Sequence, residues 1–367
     1  MDELIKNITK KAYELIKEGK YKEAFEEFKK AHEIDKQNTY VLVGMGESLR
    51  KQKKFEEALK YYSMAHEIEP SNPYALLGMG DSYRGLKKRE KAIEIWENYL
   101  KINPKDFSII TRIADAYKQM GDLKKAEEYY FRSLEANVNN KFALMGLGDL
   151  YYKQGKFGMA VVYWEKLLKI EPHLINILTM LGNIYRKKGE YNDALNFYKK
   201  ALNIDKNNAY AIFGIANCLF SMGKYKESLE YYEKMKKFDP DNPKLWLQIG
   251  KVYFNIDNLK EAEKAFRKAI SKDTKGSSIE GWLNIAKIRE REGKREEALK
   301  IIDSLIATNP KEESLYIEKF KILYEHDKEK AKEYIKDVLE KNNDFKIVNK
   351  FYSDFEIKSF EESIEKI

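Results

Sequence analysis

The groups best suited to chemistry in this sequence are four histidines (His32, His66, His173 and His326) and one cysteine, Cys218. His32 and His66 stand 34 residues apart, so a repeated element would stack them as a metal-binding pair. A metal site needs a third nitrogen or sulfur ligand, and none follows in the same register. Cys218 lies beside Ala216 and Leu219 in an apolar stretch, which points to a packed, inert thiol rather than a nucleophile. Gly44/Gly46, Gly78/Gly80 and Gly146/Gly148 form Gly-x-Gly triplets. A dinucleotide fingerprint requires a third glycine, and Leu49, Tyr83 and Tyr151 stand in its place. The Gly-Lys pairs beginning at Gly19, Gly155, Gly223 and Gly293 lack the Ser/Thr and the earlier glycine of a phosphate loop, and read as turns. Acid pairs such as Glu26-Glu27 and Glu56-Glu57 lie among lysines, as solvated faces do. No catalytic constellation assembles, so no enzyme activity, metal or cofactor is expected.

The elements that carry these residues repeat. Ala24, Ala58, Ala92, Ala126, Ala160, Ala194, Ser228 and Ala262 follow one another every 34 residues. An earlier register holds small residues at Ala12, Gly46, Gly80, Ala114, Gly148, Gly182, Ala216 and Gly250. A third register is aromatic throughout, at Phe28, Tyr62, Trp96, Tyr130, Trp164, Tyr198, Tyr232 and Phe266. All 7 prolines fall at junctions between repeats, where proline ends one helix or opens the next. Each repeat thus predicts two helices with apolar spacing of three and four, separated by a short turn. Neither helix can bury its apolar face alone, so the repeats must stack into an all-α solenoid rather than a globule.

These residues closely resemble the tetratricopeptide repeat (TPR) family, whose 34-residue pattern combines Trp-x2-Leu-Gly-x2-Tyr, Ala-x3-Phe and a final Pro. In that alignment eight repeats run without a gap over 5–276, and a ninth covers 279–312 after a slip around Gly276-Ser277-Ser278. Arg289 replaces the usual Tyr of the ninth. A degenerate tenth is expected over 313–343, marked by Ala331, which makes 1–343 one right-handed superhelical solenoid. In the tail, 344–367, Phe345, Ile347, Val348, Phe351 and Phe355 are apolar and Glu361, Glu362, Glu365 and Lys366 are polar. Two readings stand for it, one or two capping helices or a partner-docking segment. The first repeat begins almost at Met1, which leaves the N-terminal end expected to be uncapped.

The resemblance implies that the first helices line a concave groove that binds peptides or partner helices, chiefly through positions 2, 5, 6, 9, 12 and 13 of each repeat. Position 9 reads Glu47, Asp81, Asp115, Asp149, Asn183 and Asn217, and position 12 includes Arg50, Arg84, Lys118 and Arg186. An acid three residues before a base forms a self-neutralising surface pair on a helix. The same groups would also make a hydrogen-bonding ladder for an extended peptide, and both readings stay open. Position 2 is aromatic at Tyr40, Tyr74, Phe142 and Tyr210, and four residues later come Gly44, Gly78, Gly146 and Gly214. Where position 2 is not aromatic, position 6 carries a side chain, as at Arg112. Glycine inside a helix costs about 0.8–1 kcal/mol relative to alanine, so these four sites need compensation. One reading is an apolar notch with an aromatic wall and a bare backbone floor, in which Gly→Ala raises stability and weakens binding. The other is that glycine admits a neighbouring repeat's side chain, or reflects duplication.

Position 5 carries no Lys, unlike the carboxylate clamp known in the family, and its aliphatic residues favour a partner with apolar side chains. The chain of 367 residues has 68 Lys+Arg and 60 Asp+Glu, for a net charge of +8. Residues 277–367 hold 18 basic and 21 acidic side chains, so the excess, +11, lies in 1–276. Its longest runs of consecutive cations, Lys87-Lys88-Arg89 and Arg186-Lys187-Lys188, are only three residues, which disfavours nucleic acid as the partner. No segment approaches the roughly 18 apolar residues of a membrane span, and the start, Met-Asp-Glu-Leu-Ile-Lys, has no signal-peptide core. A cytoplasmic, non-catalytic scaffold for a protein partner is expected. Self-association through the uncapped first repeat, and electrostatic nucleic-acid binding by residues 1–276, are the alternatives.

Overall fold

The computed structural model describes the backbone of residues 2–273 and 277–364, and the side chains of 3–273 and 278–355. Among the described residues all regular structure is helical, in 21 helices. They divide into two compact bodies, Met1–Leu174 and Ile175–Ile367, with the division falling between two repeats.

The N-terminal body holds five helix pairs. These are α1 (Asp2–Lys17) with α2 (Tyr21–Ile34), α3 (Thr39–Lys51) with α4 (Phe55–Ile68), and α5 (Pro73–Gly85) with α6 (Arg89–Ile102). Two more follow, α7 (Phe107–Met120) with α8 (Leu123–Ala136) and α9 (Lys141–Lys153) with α10 (Phe157–Ile170). Each pair packs together, and α3 also packs on α2 and α5 on α4, the arrangement of stacked repeats. In the C-terminal body, α11 (Ile175–Lys187) pairs with α12 (Tyr191–Ile204), α13 (Ala209–Ser221) with α14 (Tyr225–Lys236), and α15 (Pro243–Asn255) with α16 (Leu259–Lys272). The series continues with α17 (Ser277–Arg291) and α18 (Arg295–Thr308), then α19 (Glu313–His326) and α20 (Lys328–Lys341), and ends at α21 (Lys346–Ile364).

Two local devices set these boundaries. The last residue of a repeat caps the next first helix. Asn72 Oδ1 accepts from the N–H groups of Tyr74 and Ala75 at 3.1 and 3.0 Å, and Asn38, Asp106, Asn140, Asn208 and Asn242 do the same for their helices. Such a cap contributes about 1 kcal/mol. The turns inside the first nine pairs need a left-handed residue, supplied by glycine at Gly19, Gly121, Gly155, Gly189, Gly223 and Gly293. The expected Gly-Lys turns are among them. Lys53, Lys87 and Asp257 take the same conformation without glycine's freedom, at φ 63, 60 and 62°.

The core follows the three registers. The alanines at Ala24, Ala58, Ala92 and their successors are fully buried, and so are Phe28, Trp96, Tyr130, Trp164 and Tyr198. Each large ring lies against the small residue of its own first helix, Tyr62 on Gly46 and Trp96 on Gly80 for example. The first pair differs from its neighbours in what its first helix presents. In the next two repeats, Val41, Met45 and Ser48, then Ala75, Met79 and Ser82, are buried on one face of the first helix. On α1 the same register is Asn7, Lys11 and Glu14, all exposed, with exposed Lys10 beside them. That face is polar apart from the exposed Leu4, unlike the apolar faces of the repeats that follow.

At the other end, Ala331 is buried between α19 and α20, and Phe345, Val348 and Tyr352 join Tyr316, Phe320, Ile335 and Val338 in one apolar cluster. Glu313 accepts the N–H groups of Ile347 and Val348 at 2.6 and 2.8 Å. A single helix, α21, occupies the described tail, and the side chains of Glu361, Glu362, Glu365 and Lys366 lie outside the described residues. The slip around Gly276 falls partly on 274–276, also outside them. Arg289, in place of the usual tyrosine, is neutralised by Glu263 at 2.7 Å and by Glu292 and Glu297 at 3.1 Å.

Candidate functional site

The first helices of the N-terminal body enclose an open cavity of about 630 Å³. Tyr40, Val43, Glu47 and Arg50 reach it from α3, Tyr74, Leu77, Gly78 and Asp81 from α5, and Ile109 and Arg112 from α7. A helix repeats its face every three to four residues, so positions 2, 5, 9 and 12 of successive repeats form one lining. Tyr13 of α1 and Tyr62 of α4 complete the apolar wall. Tyr13 escaped the sequence reasoning although it stands at position 9 of the first repeat, where the register alone would have found it. Its ring meets that of Tyr40 with centroids 5.1 Å apart. Burial, then the neighbouring Tyr40 and Glu47, push its phenol well above the usual value.

The polar floor centres on Asp81. Its carboxylate accepts from Arg112 Nη1 at 2.7 Å, and Arg50 Nη1 and Arg84 Nη2 lie 3.5 and 3.4 Å away. Three consecutive repeats therefore contribute a guanidinium to one acid. Of the pairs expected within single helices, Glu47 with Arg50 spans 4.0 Å and Asp115 with Lys118 3.8 Å, while Asp81 with Arg84, at 3.4 Å, is as short as the contact from Arg50. The shortest of the three contacts to Asp81 comes from the following repeat, through Arg112. Burial works against the Arg50 charge, but Tyr62, Asp81 and Glu47 outweigh it and hold the guanidinium above its usual value.

What frees Asp81 is the ring behind it. In other repeats the buried tyrosine donates its hydroxyl to position 9: Tyr130 to Asp115 at 2.5 Å, Tyr198 to Asn183 at 2.8 Å and Tyr232 to Asn217 at 2.9 Å. Trp96 and Trp164 replace that tyrosine in the repeats of Asp81 and Asp149, and their buried indole N–H groups make no hydrogen bond to these acids. Asp149 makes no hydrogen bond among the described residues, and burial raises its carboxyl above the usual value.

The remaining expected residues separate into groups. Tyr40, Tyr74, Phe142 and Tyr210 are 57% to 79% exposed, so all four position-2 rings face solvent. Gly44, Arg84, Asp115, Lys118, Phe142, Gly146 and Asp149 share the N-terminal body but do not line the cavity. Asn183, Arg186, Tyr210 and Asn217 belong to the C-terminal body, where Arg186 Nε is buried without a hydrogen-bond partner. The bare glycine floor is overturned. A methyl at Gly44, Gly78, Gly146 or Gly214 would fall within 3.0 Å of the ring of Phe28, Tyr62, Tyr130 or Tyr198, which the preceding repeat inserts there. These glycines seat core rings, and the expected gain in stability on Gly→Ala becomes a loss.

Cys218 is buried, and burial raises its thiol to about 11, against the opposing charge of Arg186. Among the described residues no three His, Cys, Asp or Glu side chains cluster as metal ligands. None of the described helices is long and apolar enough to cross a membrane.

Comparison with family models covers most of the helical pairs. Residues 9–144 match the N-terminal TPR repeats region of Psidin, 141–207 the tetratricopeptide repeat, and 187–269 subunit 3 of the anaphase-promoting complex, or cyclosome. The chain belongs to the tetratricopeptide repeat family. Among solved structures, this TPR chain is similar to the C-terminal part of a TPR repeat-containing protein from Cytophaga hutchinsonii. The identity is 19%, covering 65% of this chain and 98% of that one, with a TM-score of 0.55. YrrB, described as a TPR protein with an unusual peptide-binding site, aligns at 22% identity over 50% of this chain and 95% of its own, with a TM-score of 0.46. A tetratricopeptide repeat protein from Parabacteroides merdae aligns at 21% over 75% and 96%, with a TM-score of 0.38. Comparison with curated proteins gives no match. The TPR repeats place this chain among protein-interaction scaffolds.

Proposed function

We propose that this chain is a non-catalytic scaffold that receives a peptide or helix of a partner protein in the cavity of its N-terminal body. The observation that carries the reading is the pair of exposed rings, Tyr40 and Tyr74, on consecutive first helices beside that cavity. Large rings left in solvent cost hydration free energy, and aromatic side chains are prominent among the anchors of protein interfaces. Val43 and Leu77 beneath them suit apolar partner side chains. Phe142 and Tyr210 would extend the contact along the later repeats. The polar face of α1 weighs against end-to-end association through the first repeat, and the scattered cations weigh against nucleic acid. The reading also takes 1–343 as the solenoid and the tail as its cap, supported by the apolar cluster of Phe345, Val348 and Tyr352.

Peptide retention on an array of random dodecapeptides tests it, comparing the full chain with Tyr40→Ala/Tyr74→Ala. Retained peptides should bind the double variant at least about tenfold more weakly, the loss of roughly 1.4 kcal/mol that one buried anchor supplies. Equal binding by a correctly folded double variant excludes the cavity as the site.

A further inference from the structure

The position-12 arginine of the C-terminal body lacks both counterions that its equivalent has in the N-terminal body. Arg50 has Glu47 three residues earlier on α3 and Asp81 at position 9 of the following repeat, at 4.0 and 3.5 Å. Arg186 stands at the same place on α11, and the corresponding residues are Asn183 and Asn217. Asn183 Oδ1 accepts the hydroxyl of Tyr198 at 2.8 Å. Asn217 Oδ1 accepts that of Tyr232 at 2.9 Å, and its Nδ2 donates to the Phe213 carbonyl at 2.8 Å. No acid on the inner helices replaces the missing pair. α11, α13 and α15 carry no Asp or Glu, and their charged residues, Arg186, Lys187, Lys244 and Lys251, are all basic. Lys251 is neutralised by Glu280 of α17 at 2.6 Å. In the turn after α11, Glu190 faces Lys188 at 4.0 Å, and Asp193 lies exposed on α12. Arg186 makes no ion pair among the described residues, and its buried Nε has no hydrogen-bond partner.

The groups that feel its charge locate the guanidinium. Burial raises the phenols of Tyr198 and Tyr232 and the thiol of Cys218, and Arg186 opposes the rise in all three. It therefore reaches from α11 over α13, as Arg50 reaches from α3 to α5. Positions 2, 5 and 12 of α13 share a helical face with position 9, and there stand the exposed Tyr210 and the partly buried Phe213 and Phe220.

We infer that the C-terminal body holds a second recognition site, where Arg186 takes the side-chain carboxylate of an aspartate or glutamate in a partner segment and α13 offers its rings to the apolar residues beside it. Asn183 supplies a further donor, because the Tyr198 hydroxyl holds its Oδ1 and leaves Nδ2 without a partner. The planar guanidinium fork matches a carboxylate, and such charge-assisted contacts are among the stronger polar interactions. One half-buried cation among rings suits a single carboxylate better than a phosphate backbone, which is held by many cations. The arrangement is not that of the clamp with a position-5 lysine. Thr179 stands at position 5 of α11, its hydroxyl on the Asn176 carbonyl at 2.9 Å, and the cation comes from position 12.

The test uses the full chain carrying Tyr40→Ala/Tyr74→Ala, so that the N-terminal cavity contributes nothing whether or not it binds. It is applied to the array of random dodecapeptides with amidated C-termini, which offers side-chain carboxylates alone. Retained peptides should be enriched in Asp or Glu next to Leu, Ile or Phe, and raised salt should weaken them. Arg186→Gln should weaken these peptides about tenfold, the size of a hydrogen bond to a charged group. Asn217→Asp gives Arg186 the counterion that Asp81 gives Arg50, and should weaken them as much without lowering the melting temperature. Asp115 shows that an aspartate at position 9 accepts the tyrosine hydroxyl behind it. The arginine stays in place in that variant, so a purely structural role would leave its binding unmoved. Circular-dichroism melts confirm that each variant is folded. Absence of acidic enrichment in this background, or equal retention of acidic peptides by the folded Arg186→Gln or Asn217→Asp chain, overturns the inference and leaves the N-terminal cavity to its own test.

Discussion

At the scale of single residues, the informative contrast is between glycines that look alike in sequence. Gly46 and Gly78 flank one tyrosine ring, Tyr62, the first from its own repeat and the second from the next. Alanine at Gly78 gains about 0.8–1 kcal/mol of helix propensity but must displace a fully packed ring, and overpacking of this kind costs about 1–3 kcal/mol. Gly78→Ala should therefore lower stability by about 1 kcal/mol or more in urea denaturation, and an increase would show that the ring moves aside freely. The pairing of aromatic position 2 with glycine at position 6 was legible in the sequence, but its cause was not. The ring that fills the space over Gly78 lies 16 residues earlier, in a different helix, and only packing brings the two together. The role of Trp96 was hidden for the same reason. Trp and Tyr are interchangeable as apolar bulk, and their difference shows only once the hydroxyl has a neighbour.

At the scale of elements, the periodic small and aromatic registers fix both helices of each repeat, and the structure places them where the spacing puts them. Pro73 and Pro243 open α5 and α15, positions where a missing N–H costs nothing. The turns show where local sequence still falls short of its own geometry. Lys87 holds φ at 60° between α5 and α6, in the region that glycine enters without steric penalty. Lys87→Gly should raise the melting temperature by a few degrees, corresponding to about 1 kcal/mol, and Lys53→Gly should do likewise. A fall in both would mean that the lysine side chains hold the turns by other contacts.

At the scale of the molecule, both bodies depend on carboxylates held ionised. Burial opposes the charge of Asp106, but hydrogen bonds from Tyr99 and Ser108 outweigh it and keep its carboxyl below the usual range. In the C-terminal body, burial is likewise outweighed at Glu263 by Arg289 and Arg267, and at Glu318 by Lys321 and Lys287. A depressed value in the folded state means stability that is complete above the unfolded value and lost as pH falls through the folded one. Melting temperature should thus drop steadily below about pH 4.5, and Arg289→Gln should flatten that drop. An unchanged acid profile in the variant would remove Arg289 from the account. The sequence by itself determined the repeat length, the paired helices and the family, because each depends on periods of a few residues or on a register of 34. Tertiary structure alone decided which glycines seat rings and that three arginines converge on Asp81. The ring contacts join residues 16 positions apart and the contacts of Arg50 and Arg112 with Asp81 residues 31 apart, in different helices, and spacing along one helix carries no record of them.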